Sequence, residues 1–273
     1  MALTAASVSF TYEAGTAIAT PVLDDVSLIV ESGEVVLCVG ATGSGKSTLL
    51  RLCAGLLEPT RGQIAVDGAP VRMRGPVGIV FQNPETQFFA ETVAADVSFG
   101  PRNLGLADVD SVVVEALAAV GLDAAVFGER SPFTLSGGEA RRVAIAGVLA
   151  MRTPYLLLDE PTAGLDPLGR RAVLQAVRSA RESAGVLVVT HDAGEFLPWA
   201  DRVIALDSGR VLFEGVPQTL AEEPASWERA SLALPQLVLA QHLARGRGAE
   251  IPAIALDVEG AARALAAGKV GRP

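Results

Sequence analysis

The stretch GATGSGKST, residues 40–48, follows the apolar run EVVLCVG (34–40) and leads into a helical pattern with Leu49, Leu50, Leu52, Cys53 and Leu56 on its inner side. It satisfies G-x-x-x-x-G-K-[ST], and a strand before it with a helix after it is the context that makes such a string a phosphate loop. Gly40, Gly43 and Gly45 let the backbone curl so that successive N–H groups point at phosphates, with the helix dipole adding to the attraction. Lys46 is expected to reach the β and γ phosphates, and Ser47 to hold Mg²⁺ through its hydroxyl. A glycine-rich turn with an exposed lysine is the competing reading, and it leaves this placement without a purpose.

Two more near-continuous apolar runs, YLLLDE (155–160) and GVLVVTHD (185–192), have the composition of strands buried on both faces of a parallel sheet. SVSFTYEAG, VLDDVSLIVESGE and GQIAVDG instead alternate apolar with polar residues and end in turn signals, as antiparallel strands with one wet face do. Between about 83 and 150 the strand character gives way to helical spacing, as in VDSVVVEALAAVGL (109–122). This order predicts an α/β core carrying an antiparallel β portion and a helical insertion.

A parallel sheet presents its ligand crevice at the carboxyl ends of its strands. Asp159, at such an end, suits Mg²⁺, directly or through water. Glu160, one residue on, is a candidate general base. One acidic residue there reads equally as a helix cap or surface charge; the pair after four apolar residues points to a site. His191 ends another apolar strand, where a satisfied structural histidine and a γ-phosphate contact are both open, and its position at the same sheet edge favours the contact. Gln82, in GIVFQNPETQFF (78–89), also follows an apolar strand, and alone is only a polar residue entering a loop.

A second helix start lies at LSGGEARRVAIAG (135–147). Ser136 and Glu139 match the capping box S-x-x-E, which accounts for the stretch structurally. The two intervening residues, Gly137 and Gly138, are poor helix formers, at roughly 0.8–1 kcal/mol each against alanine. They make more sense where the backbone must approach another group closely.

The chain has 273 residues, half of them hydrophobic, enough for a substantial core. Its net charge of −9, with arginine pairs at 141–142 and 170–171 but no basic tract, argues against a nucleic-acid partner. Cys38 and Cys53 lack metal or disulfide spacing and read as buried reduced thiols. The N-terminus lacks a signal-peptide pattern, and no apolar run reaches the roughly 18 residues of a spanning helix. A membrane role is then expected at the surface, through another protein.

Together these residues resemble the ATP-binding subunit of ABC transporters over roughly residues 1–218. A Walker A loop lies at 40–47, a Q-loop glutamine at Gln82, the signature LSGGE at 135–139, Walker B at 155–160, a D-loop at AGLDP and a switch histidine at His191, in the family's order. The resemblance implies an α/β P-loop NTPase (RecA-like) core with an antiparallel β subdomain and a helical signature subdomain at about 83–150. It implies ATP and Mg²⁺ as cofactors, Glu160 and His191 as catalytic residues, and Ser47, Gln82 and Asp159 as metal ligands. Ala41, Thr42, Ser44 and Thr48 join Gly40, Gly43, Gly45, Lys46 and Ser47 in the nucleotide-binding loop. Two subunits of that family pack head to tail, so Ser136, Gly137, Gly138 and Glu139 would face the ATP held by the other subunit, with Asp166 linking the two sites. Tyr12 would stack on adenine, though without the resemblance it reads as well as an aromatic in an edge strand.

Two residues depart from the family pattern. Glu139 stands where glutamine is more usual, and either completes a capping box. The D-loop reads Ala163-Gly164-Leu165-Asp166 rather than Ser-Ala-Leu-Asp, without the hydroxyl contact across the interface.

A narrower resemblance, in FQNPETQFFAETVAADVSFGPRNLGL (81–106) and the tail passage ALPQLVLAQHLARGRG, is to the ATPase subunit of energy-coupling factor transporters, importers of vitamins and of cobalt or nickel ions. It implies a homo- or heterodimer with a second ATPase subunit, a transmembrane coupling subunit, a membrane substrate-binding subunit, and a peripheral location on the cytoplasmic face of the cell membrane. Phe88 and Phe89 would border a groove for coupling helices, with core packing of one or both the competing reading. Residues 219–273 read as a helical extension with a packing or subunit-contact role. Competing functions are the ATPase of another ABC importer class, a soluble ABC-type ATPase and a P-loop kinase. The soluble class usually carries long coiled-coil inserts, fused halves or basic tracts, and a kinase has no task for a signature or D-loop.

Overall fold

The computed structural model describes residues 1–71, 75–229 and 232–267. From the N-terminus run strands β1 (Ala2–Tyr12), β2 (Thr20–Glu31) and β3 (Val35–Val39), helix α1 (Lys46–Cys53), and strands β4 (Arg61–Val66), β5 (Ala69–Pro70) and β6 (Val77–Val80). A helical stretch follows: α2 (Val93–Asn103), α3 (Val109–Ala119), α4 (Ala124–Phe127) and α5 (Gly137–Ala150). Then come β7 (Tyr155–Asp159), α6 (Pro167–Ala180), β8 (Gly185–Thr190), β9 (Arg202–Asp207) and β10 (Arg210–Gly215). The chain continues through α7 (Pro217–Glu222), α8 (Pro224–Arg229), α9 (Gln236–Gly246) and α10 (Val258–Ala267).

Six strands form one sheet in the order β10-β9-β3-β8-β7-β6, parallel from β9 to β6 with β10 as an antiparallel edge. The strands expected to be buried on both faces, β3, β7 and β8, are buried at every residue. The alternating stretches make a separate antiparallel sheet, β2-β1-β4-β5.

Strand periodicity divides the core in two. Val35, Leu37 and Val39 of β3, with Leu156, Leu158, Val186 and Val188, face α3, α5 and α6. Val36 and Cys38, with Leu157, Leu187 and Val189, face α1 and the antiparallel sheet. Both cysteines are free and buried, and burial pushes each thiol up to about 12, so neither is a nucleophile. Leu56, expected on the inner side of α1, lies beyond the helix end and is 39% exposed. The helix stops at Cys53 because Gly55, at a φ of 69°, turns the chain away.

The extension folds onto the helical side of the core: Leu220, Trp227, Val238, Ile251 and Ile254 are buried in the same cluster as α3 and α5. Three of its helices, α7, α8 and α9, start at or just after prolines 217, 224 and 235, where a missing N–H costs nothing. Residues 230, 231 and 268–273 of this stretch lie outside the described residues. No helix among the described residues is long and apolar enough to cross a membrane.

Candidate active site

The loop between β3 and α1 is held tightly by its own chain. A Cβ on Gly40 would lie 2.3 Å from the Leu206 carbonyl oxygen, so glycine is required there for close approach. Gly45, the N-cap of α1, has a φ of 100°, and a Cβ there would lie 2.6 Å from Leu23 Cδ2. No side chain caps α1, so its first-turn N–H groups remain available to an anion. Lys46 is 8% exposed and donates to the carbonyls of Gly40 and Ala41, both at 2.8 Å, and to Ser44 Oγ at 3.4 Å. Burial pushes its ammonium below the usual lysine range, while the carboxylates of Glu160 and Asp159 act to keep it charged.

Strand register brings the remaining groups to the same sheet edge. Val39 pairs with Thr190, Asp159 with Val189, and Val80 with Leu158, so four parallel strands end nearly level. Burial raises the Asp159 carboxyl above its usual range, opposed by a hydrogen bond from the Ser47 side chain. This hydroxyl–carboxylate pair is an all-oxygen donor set of the kind Mg²⁺ takes alongside phosphate oxygens. Among the described residues no three His, Cys, Asp or Glu side chains cluster as a metal site. Gln82 stands two residues beyond β6 and is exposed.

Glu160 is the most constrained of these residues. Its φ of 50° lies in the left-handed region, which costs a non-glycine residue of order 1–3 kcal/mol and persists only where surroundings enforce it. The enforcement is visible. Its N–H donates to the Val189 carbonyl at 2.9 Å, Oε2 accepts from Thr190 Oγ1 at 2.8 Å, and Oε1 accepts from the His191 backbone N–H at 2.9 Å. His191 Nδ1 lies 2.6 Å from the same oxygen while its side chain is 64% exposed. The carboxylate and the histidine therefore form one unit, fixed by β8 on one side and open to solvent on the other. Thr190 has no sequence signal of its own beyond following four apolar residues.

Helix α5 begins with a complete capping box. Ser136 Oγ accepts from the Glu139 N–H at 3.3 Å, and Glu139 Oε2 accepts from the Ser136 N–H at 2.8 Å. Among the described residues nothing lies within 4 Å of a Cβ built on Gly137, and one on Gly138 meets Leu165 Cδ2 at 3.6 Å and the Gly164 carbonyl oxygen at 4.0 Å, both ordinary contact distances. Neither glycine has a positive φ. The chain's own packing and backbone therefore give no reason for glycine at either position.

Asp166 caps α6, accepting from the Gly169 N–H at 2.6 Å, so it has a structural task in its own chain. Tyr12 ends β1 with its ring edge-on to Phe10 at 4.8 Å and its hydroxyl 3.3 Å from Thr48 Oγ1, which sets it beside the first turn of α1. Phe88 is core, whereas Phe89 is 59% exposed and packs edge-on against exposed Phe99 at 4.6 Å.

The family model described as ABC transporter matches residues 23–163. The chain belongs to the ABC transporter ATPase family. It is 46% identical to the energy-coupling factor transporter ATP-binding protein EcfA2 of Symbiobacterium thermophilum, over 97% of this chain and 96% of that one. Against the protein of the same name from Lactiplantibacillus plantarum it is 42% identical, over 91% and 88% of the two chains. Among solved structures, cbiO1 from Clostridium perfringens, described as part of the ABC transporter complex cbiONQ, superposes with a TM-score of 0.71 at 32% identity, covering 88% of this chain and 98% of that one. A dimeric ATP-binding cassette in a post-hydrolysis state with ADP and Pi superposes with a TM-score of 0.72 at 29% identity, covering 80% and 99%. The P-loop NTPase fold with its helical signature portion is the fold of these cassettes.

Proposed function

We propose that this chain is the ATP-hydrolysing subunit of a membrane importer of the energy-coupling factor type, for vitamins or transition-metal ions, and that its sites are completed by a second ATPase subunit. The carrying observation is the pairing of two features. Lys46, Asp159, Glu160 and His191 converge at one sheet edge, while the α5 start keeps two glycines that its own chain does not need.

On this reading residues 1–218 are the ATPase domain, with its helical subdomain at about 83–150, and 219–273 are an extension available for subunit contact. The loop from Gly40 to Thr48 cradles the phosphates, Lys46 carries the compensating charge, and Tyr12 supports the adenine. Ser47, Asp159 and Gln82 would hold Mg²⁺, which when bound neutralises charge on the phosphate oxygens. Glu160 takes a proton from the attacking water, its carboxylate aimed by Thr190 and His191. Ser136, Gly137, Gly138 and Glu139 face the other subunit's nucleotide, and Asp166 lies between the two sites. Exposed Phe89 and Phe99 suit the apolar face of a coupling helix from a transmembrane subunit, itself joined to a substrate-binding membrane subunit. The chain would then sit peripherally on the cytoplasmic face.

Glu160→Gln tests the central role. It preserves the side-chain shape, so ATP binding should persist while turnover of the assembled complex falls by about 10²-fold or more. Normal turnover in this variant would transfer the base role to His191.

A further inference from the structure

We propose that Arg141 is a positioning residue of the hydrolytic site, which ties Glu160 and the Gln82 loop to the helix that this chain offers to its partner. The proposal rests on the reading of Glu160 as general base.

Arg141 and Arg142 are adjacent in sequence and look alike there, but their guanidinium groups serve opposite sides of α5. Arg142 donates to the carbonyls of Val120 at 3.4 Å and Gly121 at 3.2 Å, anchoring α5 to the end of α3. Arg141 reaches the other way. Nη1 donates to the Glu160 carbonyl and Nη2 to the Gln82 carbonyl, both at 2.5 Å, across 19 and 59 residues of sequence.

One planar fork thus holds two main-chain oxygens that belong to different strand ends. A lysine, with a single ammonium at the end of a flexible stem, does not reproduce that geometry.

The Glu160 contact falls where the backbone most needs support. Residue 160 has a φ of 50°, its N–H and carboxylate are held by β8 and the residues after it, and its carbonyl also accepts from the Ala163 N–H at 3.2 Å. Arg141 adds a tie that comes from the helical portion. Because Ser136, Gly137 and Gly138 open the same helix, a shift of α5 on meeting a partner moves the carbonyl anchors of the hydrolytic edge in the same chain. The arrangement makes hydrolytic competence depend on α5 orientation without any contact between Arg141 and nucleotide.

The test uses the assembled complex, with ATP affinity, KM, kcat and melting temperature measured for R141A, R141K, R142A, E160Q and the double variant R141A/E160Q. R141A should keep ATP affinity within about 3-fold while kcat falls at least about 10-fold, because the interaction acts on the chemical step and not on ground-state binding. R141K should recover only part of kcat. In the E160Q background, removing Arg141 should cost little further, since the residue it positions is already disabled. R142A should lower the melting temperature without separating kcat from KM.

Wild-type kcat in R141A beside a slow E160Q overturns the positioning role and leaves the base reading intact, whereas normal turnover in E160Q overturns the base reading itself. Equal losses of affinity, kcat and melting temperature in R141A, or further slowing in the E160Q background, reduce Arg141 to packing. If R141A does not fold, R141K carries the test, and wild-type kcat there overturns the two-carbonyl fork.

Discussion

Helices α1 and α5 both start with glycine beside a hydroxyl residue, and the chain treats the two starts in opposite ways. At α1 the N-cap is Gly45, no side chain satisfies the first N–H groups, and Gly45 and Gly40 are pressed against Leu23 and Leu206. At α5 the capping box is complete, and the glycines have room around them. Glycine in the phosphate loop thus serves the fold as well as a ligand, and substitution there cannot separate the two. At α5 the folding requirement is already met by Ser136 and Glu139. The glycines there lower helix propensity by roughly 0.8–1 kcal/mol each and gain the chain nothing internally. On the proposed reading their use lies outside the chain, at a site shared between two subunits.

The largest effect expected from breaking this asymmetry is at α1. Lys46→Ala removes the ammonium of a buried lysine from the carbonyls of Gly40 and Ala41 and, on the proposed reading, from the phosphates. ATP affinity should fall by about 10- to 100-fold or more, the scale of charge-assisted hydrogen bonds lost. A nucleotide titration of the folded variant reads this directly. Unchanged affinity would remove the phosphate-loop assignment and with it one side of the comparison.

At α5 the corresponding change should spare binding. In Gly138→Asp the new Cβ meets Leu165 at an ordinary distance, the Ser136 cap survives, and an acid in the first turn is favoured by the helix dipole. The variant should fold and bind ATP as well as wild type as a single chain. In the assembled complex its turnover should fall to near background, because the added charge confronts the partner's nucleotide. Wild-type turnover would mean that this helix start is a cap and nothing more.

The contrast between the two starts also marks how far the sequence could be read. Strand type, sheet division, the phosphate loop, the acidic pair and the capping box were all legible, since each rests on local periodicity or fixed spacing. The edge strand β10, the extension's burial against the helical core and the exposure of Leu56 were not, because they depend on which neighbour the chain meets. The left-handed Glu160 and the two directions of Arg141 and Arg142 were equally hidden. Nothing in ARR distinguishes an arginine that anchors α3 from one that reaches Gln82, since only the helix's placement decides it. Of Phe88 and Phe89, likewise, only the fold says which is core.

The smallest effect concerns the α5 cap itself and its dependence on pH. The Glu139 carboxyl is held below the usual carboxylate range first by the Ser136 backbone N–H at 2.8 Å, then by the Ser136 hydroxyl at 2.8 Å, with the Arg130 guanidinium at 3.5 Å assisting. A carboxyl whose folded pKa is depressed contributes stability that is complete above its unfolded value, about 4.3, and is lost as the pH falls through the lower folded value. Glu139→Gln keeps an oxygen acceptor for the Ser136 N–H but has no proton to gain and no charge to set against the helix dipole or Arg130. Wild type should therefore be the more stable of the two at neutral pH, by about 0.3–1 kcal/mol. That lead should shrink below about pH 4 as Glu139 protonates, and disappear once the folded-state pKa has been passed. Paired melting curves of wild type and E139Q between pH 7 and pH 3 isolate the contribution, because every other titrating group is common to both. A difference that stays constant with pH would mean that residue 139 caps α5 by shape alone, and that the glutamate adds no electrostatic tie at this helix start.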